Sequence, residues 1–214
     1  MRPVLIILFS IVVQFTYGQL ATWNLGGPTP TTGREVSVAP TFVKEGLKVS
    51  DLTKGALVRS KQGNSRGFSG HLAKNVRTYD EAVKENAYFE FSVDVENGYT
   101  ASLSTLKARL RVQEFSAKNF QWTYSVNGKD FKKLHEEPIQ IEDMNNSGVN
   151  QPKLDLTKFK DLQQIKPQSK VTLRLYVWGN DNTQDKSKIS VGFGKSSSKD
   201  NGPVLKLEGT VTKN

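Results

Sequence analysis

The stretch Ala87-Tyr88-Phe89-Glu90-Phe91-Ser92-Val93-Asp94-Val95, followed by Asn97-Gly98 and a return through Leu106, Ala108, Leu110 and Val112, decides the fold class. Phe89, Phe91, Val93 and Val95 alternate with Glu90, Ser92 and Asp94. A period of two marks a strand with one buried face. Asn97-Gly98 is a hairpin signal, because both residues tolerate positive φ. On the return, Lys107, Arg109 and Arg111 alternate with the apolar residues, and a third segment sets Phe120, Trp122, Tyr124 and Val126 against Gln121, Thr123 and Ser125. The expectation is an antiparallel sheet of three consecutive strands, packed through its apolar face.

Outward from this stretch the pattern repeats. Between Lys170 and Trp178, Val171, Leu173, Leu175 and Val177 face one way and Thr172, Arg174, Tyr176 and Trp178 the other. Leu20 to Leu25, Glu35 to Ala39, Leu47 to Leu52, Ile139 with Ile141, Ile189 to Phe193 and Leu205 to Val211 read as further strands. Tyr79 to Asn86 has helix-forming residues for one or two turns, held by tertiary contacts because an isolated turn is unstable. Lys54 to Val76 reads as a long exposed loop with a short strand near Phe68. Leu154 to Ile165 reads as a short helix or crossover stopped by Pro167. Lys195 to Pro203 reads as a hairpin tip. About ten strands with long excursions between them predict an all-β fold: an antiparallel two-sheet β-sandwich of jelly-roll topology.

The 214 residues open with Met1-Arg2-Pro3 and an apolar run from Val4 to Phe9, continued by Ile11, Val12 and Val13, then Thr16-Tyr17-Gly18. This reads as a secretory signal cleaved after Gly18, leaving a single domain over 19–214. The run is far shorter than the ~20 residues of a membrane span, so no transmembrane anchor is expected. There is no cysteine; an exported domain of this size then relies on its apolar core, which fits a bacterial periplasmic or extracellular setting. The formal charge is +9. Its lysines are scattered, the pattern of a solvated surface and guarded strand edges.

Several segments, in this order, carry a resemblance: the Trp23 strand with its Gly-rich exit, Ala87 to Val93 before Asn97-Gly98-Tyr99, the Tyr124-Ser-Val-Asn-Gly-Lys129 turn, Leu173-Arg-Leu-Tyr-Val-Trp-Gly179, and Leu205-Lys-Leu-Glu-Gly-Thr-Val211. Together they are similar to secreted bacterial jelly-roll modules of the galactose-binding-like type, over most of the chain after the signal. The resemblance implies a jelly roll and carbohydrate binding. It supplies no ligand residues.

Candidate site residues come from parity. Arg174, Tyr176 and Trp178 form one outward row, with Arg109 and Arg111 in a second and Gln121 in a third. Aromatic rings stack on sugar faces, and Arg and Gln bind hydroxyls or carboxylates. On one sheet these six would form a basic, aromatic platform for a polysaccharide, acidic glycans included; under a covering segment the aromatics would instead be structural. Asn180-Asp181-Asn182 with Asp185 is rich in oxygen ligands but lacks EF-hand spacing, and His71 and His135 stand far apart without cysteine, so no metal or other cofactor is expected. Glu90 and Asp94 share a face at roughly 13 Å along an extended strand, wider than glycosidase carboxylate pairs. The expected function is a non-enzymatic carbohydrate-binding or adhesion-like module. A cell-envelope interaction protein with no sugar site is the alternative, and a polysaccharide-active enzyme the third reading. Nucleic acid is not an expected partner of an exported chain.

Overall fold

The computed structural model describes residues 17–27, 30–60, 65–142, 147–194 and 202–214. The N-terminal apolar run expected to be an export signal and most of the segment expected to be a hairpin tip, Lys195 to Pro203, lie outside them. In chain order the strands are β1 (Gly18–Trp23), β2 (Ser37–Val38), β3 (Phe42–Val43), β4 (Leu47–Val49), β5 (Leu52–Lys54), β6 (Val58–Ser60) and β7 (Gly67–Leu72). Helix α1 (Tyr79–Lys84) leads into β8 (Tyr88–Val95), β9 (Tyr99–Val112), β10 (Asn119–Ser125), β11 (Lys132–Lys133) and β12 (Ile139–Gln140). Then come β13 (Val149–Asn150), β14 (Leu154–Asp155), β15 (Lys170–Trp178), β16 (Val191–Gly194) and β17 (Leu205–Lys213).

Two antiparallel layers result. One runs β3-β1-β17-β9-β16-β7-β6, with β13 and β14 also on β9; the other runs β11-β10-β15-β8-β5-β2, with β12 on β10 and β4 on β8. The chain passes repeatedly between layers, which is the jelly-roll sandwich that the patterning predicts.

The apolar side of β8 and β15 is buried as the alternation predicts, and Ser92, Thr172, Tyr176 and Trp178 on the other side are buried too. Phe91 lies opposite Leu173 in the ladder, and both are fully buried. The hairpin expectation at Asn97-Gly98 is corrected. β8 and β9 belong to different layers, so the turn is a corner between sheets. Tyr99 N–H donates to Glu96 O at 3.2 Å, and Gly98 alone of the central pair has positive φ, +84°. A two-residue hairpin needs positive φ at both central residues (type I′) or at the first (type II′); with it at the second alone, the strands splay. The first three long strands are therefore not one sheet. The Lys54 to Val76 loop is corrected too, since it carries β6 and β7, paired from Val58 opposite Leu72 to Ser60 opposite Gly70.

The short helix forms where expected. Thr78 caps it, accepting from Glu81 N–H at 3.2 Å, which satisfies one of the orphan donors of the first turn. In the long β9–β17 pairing the register shifts at Gly209. A Cβ there would sit 2.1 Å from Ser102 O, so this bulge admits only glycine.

Rings from the two layers interleave between them. Trp23 of β1 packs on Phe91 of β8 at 4.8 Å between centroids. Phe91 meets Trp122 of β10, Trp122 meets Phe193 of β16, Phe193 meets Phe89 of β8, and Phe89 meets Phe68 of β7. The indole N–H of Trp23 donates to Val38 O at 3.1 Å and that of Trp122 to Gln151 Oε1 at 2.8 Å.

Phe91→Ala is expected to cost roughly 3–5 kcal/mol, from lost transfer energy plus the cavity left behind; a denaturant melt measures it, and a cost below ~1 kcal/mol would displace Phe91 from the core. A second expectation concerns His135. Its Nε2 accepts from Trp122 N–H at 3.0 Å, so Nδ1 carries the proton and donates to Glu137 O at 2.7 Å. Burial, with Lys133 and Lys158 nearby, holds its pKa below the ordinary value despite the bond to Glu137. The unfolded chain therefore binds the proton first as pH falls. Stability contributed by neutral His135 is complete above about pH 6.5 and declines as pH drops toward the lower folded value. His135→Gln, which does not titrate, is expected to flatten that slope in melts between pH 7.5 and 5.5.

Candidate functional site

Cross-strand register turns the outward parity of β8, β15 and β10 into rows. Asp94 lies opposite Lys170. Ser92, Thr172 and Ser125 form the next row, then Glu90, Arg174 and Thr123, then Tyr88, Tyr176 and Gln121. Asn119 beside Trp178 ends the face.

The face divides in two. Its aromatic half is covered. Tyr79 of α1 sets its ring edge-on to Tyr176 at 5.5 Å and against Trp178 at 5.7 Å. Tyr88 closes on Tyr176 from the neighbouring strand at 5.5 Å, and Lys133 lies over Tyr79 at 4.7 Å. Tyr176 is 3% exposed and Trp178 8%. Burial, with Tyr176 and Asp80 nearby, pushes the Tyr79 hydroxyl up to about 12. Gln121, 1% exposed, donates to Trp122 O at 3.3 Å and to His135 O at 2.9 Å.

The other half is an open cleft of about 590 Å³. Ser92, Thr172, Glu90 and Arg174 lie along it, Ser50, Asp51 and Thr53 line one side, and Val126, Asn127, Gly128, Gln168 and Lys170 the other. The rims are stiff. Ser92 N–H donates to Ser50 Oγ at 2.8 Å while Ser50 N–H donates to Ser92 O at 2.9 Å. Across the cleft, Asn127 Oδ1 accepts from the backbones of Lys129 and Asp130, each at 2.9 Å. This is the Asn-Gly turn read from sequence, joining β10 to β11. Val126, counted there among the apolar face, is exposed just beyond β10.

Arg174 is held on all sides. Its Nε pairs with Glu90 Oε2 and its Nη1 donates to the Tyr176 hydroxyl at 3.3 Å. The guanidinium lies 4.3 Å from the Tyr88 ring centre and 4.0 Å from that of Phe131. Burial works against its charge, but the bonds to Tyr176 and Glu90 outweigh it and raise its pKa above the ordinary value.

The six residues of the expected platform do not form one surface. Arg109 and Arg111 are on β9, in the other layer, and Arg111 is only 5% exposed. Gln121, Tyr176 and Trp178 are in the covered half, so they support the face and present no open stacking surface. Arg174 alone of the six lies in the open cleft. Parity had marked Ser92 and Thr172 as outward, but only the register sets them beside each other and beside Ser50, Asp51 and Thr53.

The other sequence candidates are also placed. Asn180 Oδ1 accepts from Val76 N–H at 2.9 Å and its Nδ2 donates to Lys74 O; Asn182 Nδ2 donates to Leu72 O. These amides hold the loop to the segment after β7. Among the described residues no group of three or more His, Cys, Asp or Glu is arranged to hold a metal ion.

No protein-family model and no curated protein matches the chain. Two solved structures from Clostridium perfringens show some similarity. One is CBM32-1 from a family 31 glycoside hydrolase, at 11% identity and TM-score 0.35, covering 71% of this chain and 95% of that one. The other is a family 89 glycoside hydrolase in complex with 2-acetamido-1,2-dideoxynojirmycin, at 14% identity and TM-score 0.31, covering 72% of this chain and 14% of that one.

If Trp178 and Tyr79 form a structural cover, Trp178→Ala is expected to cost about 3 kcal/mol or more in a denaturant melt. An exposed platform residue would change stability by less than ~0.5 kcal/mol.

Proposed function

We propose that the chain is a non-catalytic glycan-binding module whose ligand lies along the cleft on the outer face of β8 and β15. The observation that carries this is the grouping of Ser50, Thr53, Ser92 and Thr172 with Asp51, Glu90, Lys170 and Arg174 in one cleft. Neutral hydroxyls and both signs of charge, closely spaced, match the alternating donors and acceptors of a polyhydroxy chain. Two cations face two carboxylates, which suits a neutral sugar better than a strongly acidic one. Glu90 is already engaged by Arg174, an arrangement that supports holding a ligand over proton transfer. Preformed rims lower the ordering cost of binding.

Export through a signal ending at Gly18 belongs to the same reading. The β1–β17 ladder begins with Gly18 opposite Gly209, so cleavage there removes only an end pair.

A glycan array with residues 19–214, followed by calorimetry on each binder, tests the proposal. Asp51→Ala and Lys170→Ala, both at exposed positions, are each expected to weaken binding by ~1 kcal/mol or more, roughly fivefold to tenfold, with an unchanged melting midpoint. Failure of the wild type to bind any glycan would favour the cell-envelope interaction protein instead, and wild-type affinity in both variants would place the sugar site outside this cleft.

A further inference from the structure

The outer face of the opposite layer carries a second cleft, of about 340 Å³, lined by Lys107, Arg109, Asn150, Lys153, Pro203 and Lys206 with the backbone-paired neighbours Ala108 and Gln151. We infer that it is a separate binding site for an anionic polysaccharide, carrying carboxylate or sulfate groups, on the side of the sandwich away from the first cleft. This inference goes beyond the neutral-sugar reading of that cleft and does not depend on it.

Three segments bring the cations together. Lys107 and Lys206 face each other across the β9–β17 ladder, and Asn150 lies opposite Arg109 across β13 and β9. Gln151 N–H donates to Ala108 O at 3.0 Å, and Arg109 N–H to Val204 O at 2.7 Å. The backbones under the cleft are thus tied together on both sides of β9. Lys107 and Lys206 share a single carboxylate, Glu208, at 2.8 and 2.6 Å. Burial disfavours the charged Glu208 carboxylate, but the two lysines outweigh it and hold its pKa below the ordinary value. Lys153 is near Asp155, whose Oδ1 is occupied by the backbone and hydroxyl of Thr157. Among the described residues Lys107, Lys153 and Lys206 outnumber their two carboxylates, Glu208 and Asp155, neither of which lines the cleft, and a concave surface focuses such a positive field.

The lining selects among polyanions. Among the described residues no aromatic ring lines it, whereas single-stranded nucleic acid is held largely by base stacking on aromatic side chains. Its described apolar members are Ala108 and Pro203, too little apolar surface to enter a lipid interface. The Asn150 amide beside lysine side chains fits a chain that alternates hydroxyls with carboxylate or sulfate groups, while Gln151 turns its side chain to the Trp122 indole.

The test uses residues 19–214 with polygalacturonate and heparin as the anionic probes and dextran as the neutral one. Lys107→Gln with Lys153→Gln changes two exposed side chains. Lys129→Gln with Lys158→Gln, also exposed, removes the same charge elsewhere. The first pair is expected to weaken binding of at least one anionic probe roughly tenfold and to flatten its salt dependence by about one in the log–log slope. The control pair should leave both near wild type. Asp51→Ala, in the other cleft, should leave anionic binding unchanged, which separates the two sites. Equal losses in the two lysine pairs would reduce the effect to net charge and overturn the site, as would wild-type binding by Lys107→Gln with Lys153→Gln. Tighter binding to duplex DNA or to phosphatidylserine vesicles than to either polysaccharide would overturn the choice of ligand.

Discussion

Ring-on-ring contact between the two layers is the constraint on which the sandwich depends. Trp23, Phe68 and Phe193 come from one sheet, and Phe89, Phe91 and Trp122 from the other. Because they interleave, neither sheet can slide without breaking edge-to-face pairs that add to the area buried. Both indoles also need a partner for N–H, and each finds one on a peripheral segment, Val38 in the two-residue β2 and Gln151 after β13. The core therefore fixes short segments that have little packing of their own.

The same economy shapes the outer face of β8 and β15. Its aromatic half gains cover from a helix of under two turns, which in return is stabilised by the rings beneath it. Its polar half stays open. Arg174 stands at the border, sharing Tyr176 with the covered half and Glu90 with the open one. A guanidinium packed between two rings and bonded to a carboxylate has lost most of its rotamer freedom before any ligand arrives, so further ordering on binding costs little.

Parity was legible in the residues, and layer was not. The buried side of β8 and β15 is the side that alternation selects, down to the facing pair Phe91 and Leu173. Nothing in alternation says which sheet a strand joins. Lys107, Arg109 and Arg111 therefore seemed neighbours of Arg174, although the corner at Gly98 carries β9 into the other sheet. Outward parity likewise left open whether Tyr176 and Trp178 are exposed or covered, because the covering helix is distant in sequence. β6 and β7 were obscured by Gly55, Gly67 and Gly70. A Cβ at Gly55 would sit 2.2 Å from Asn86 O, and at Gly70 2.5 Å from Arg59 O; close backbone approach, not loop freedom, accounts for both.

The pairing of β1 with β17 also bears on how the chain reaches this state. Gly18 meets Gly209 and Trp23 meets Leu205, so a layer that holds one end of the aromatic seam is joined by the first and last strands. Closing so long a loop costs roughly 2–3 kcal/mol more entropy than closing a ten-residue hairpin. It is repaid only when contacts remote in sequence form together, the regime of slow, high-contact-order folding. During synthesis, β1 has no β17 to pair with until everything between Trp23 and Leu205 has been made, and the emerging protein must keep Leu20 and Trp23 from other partners until then.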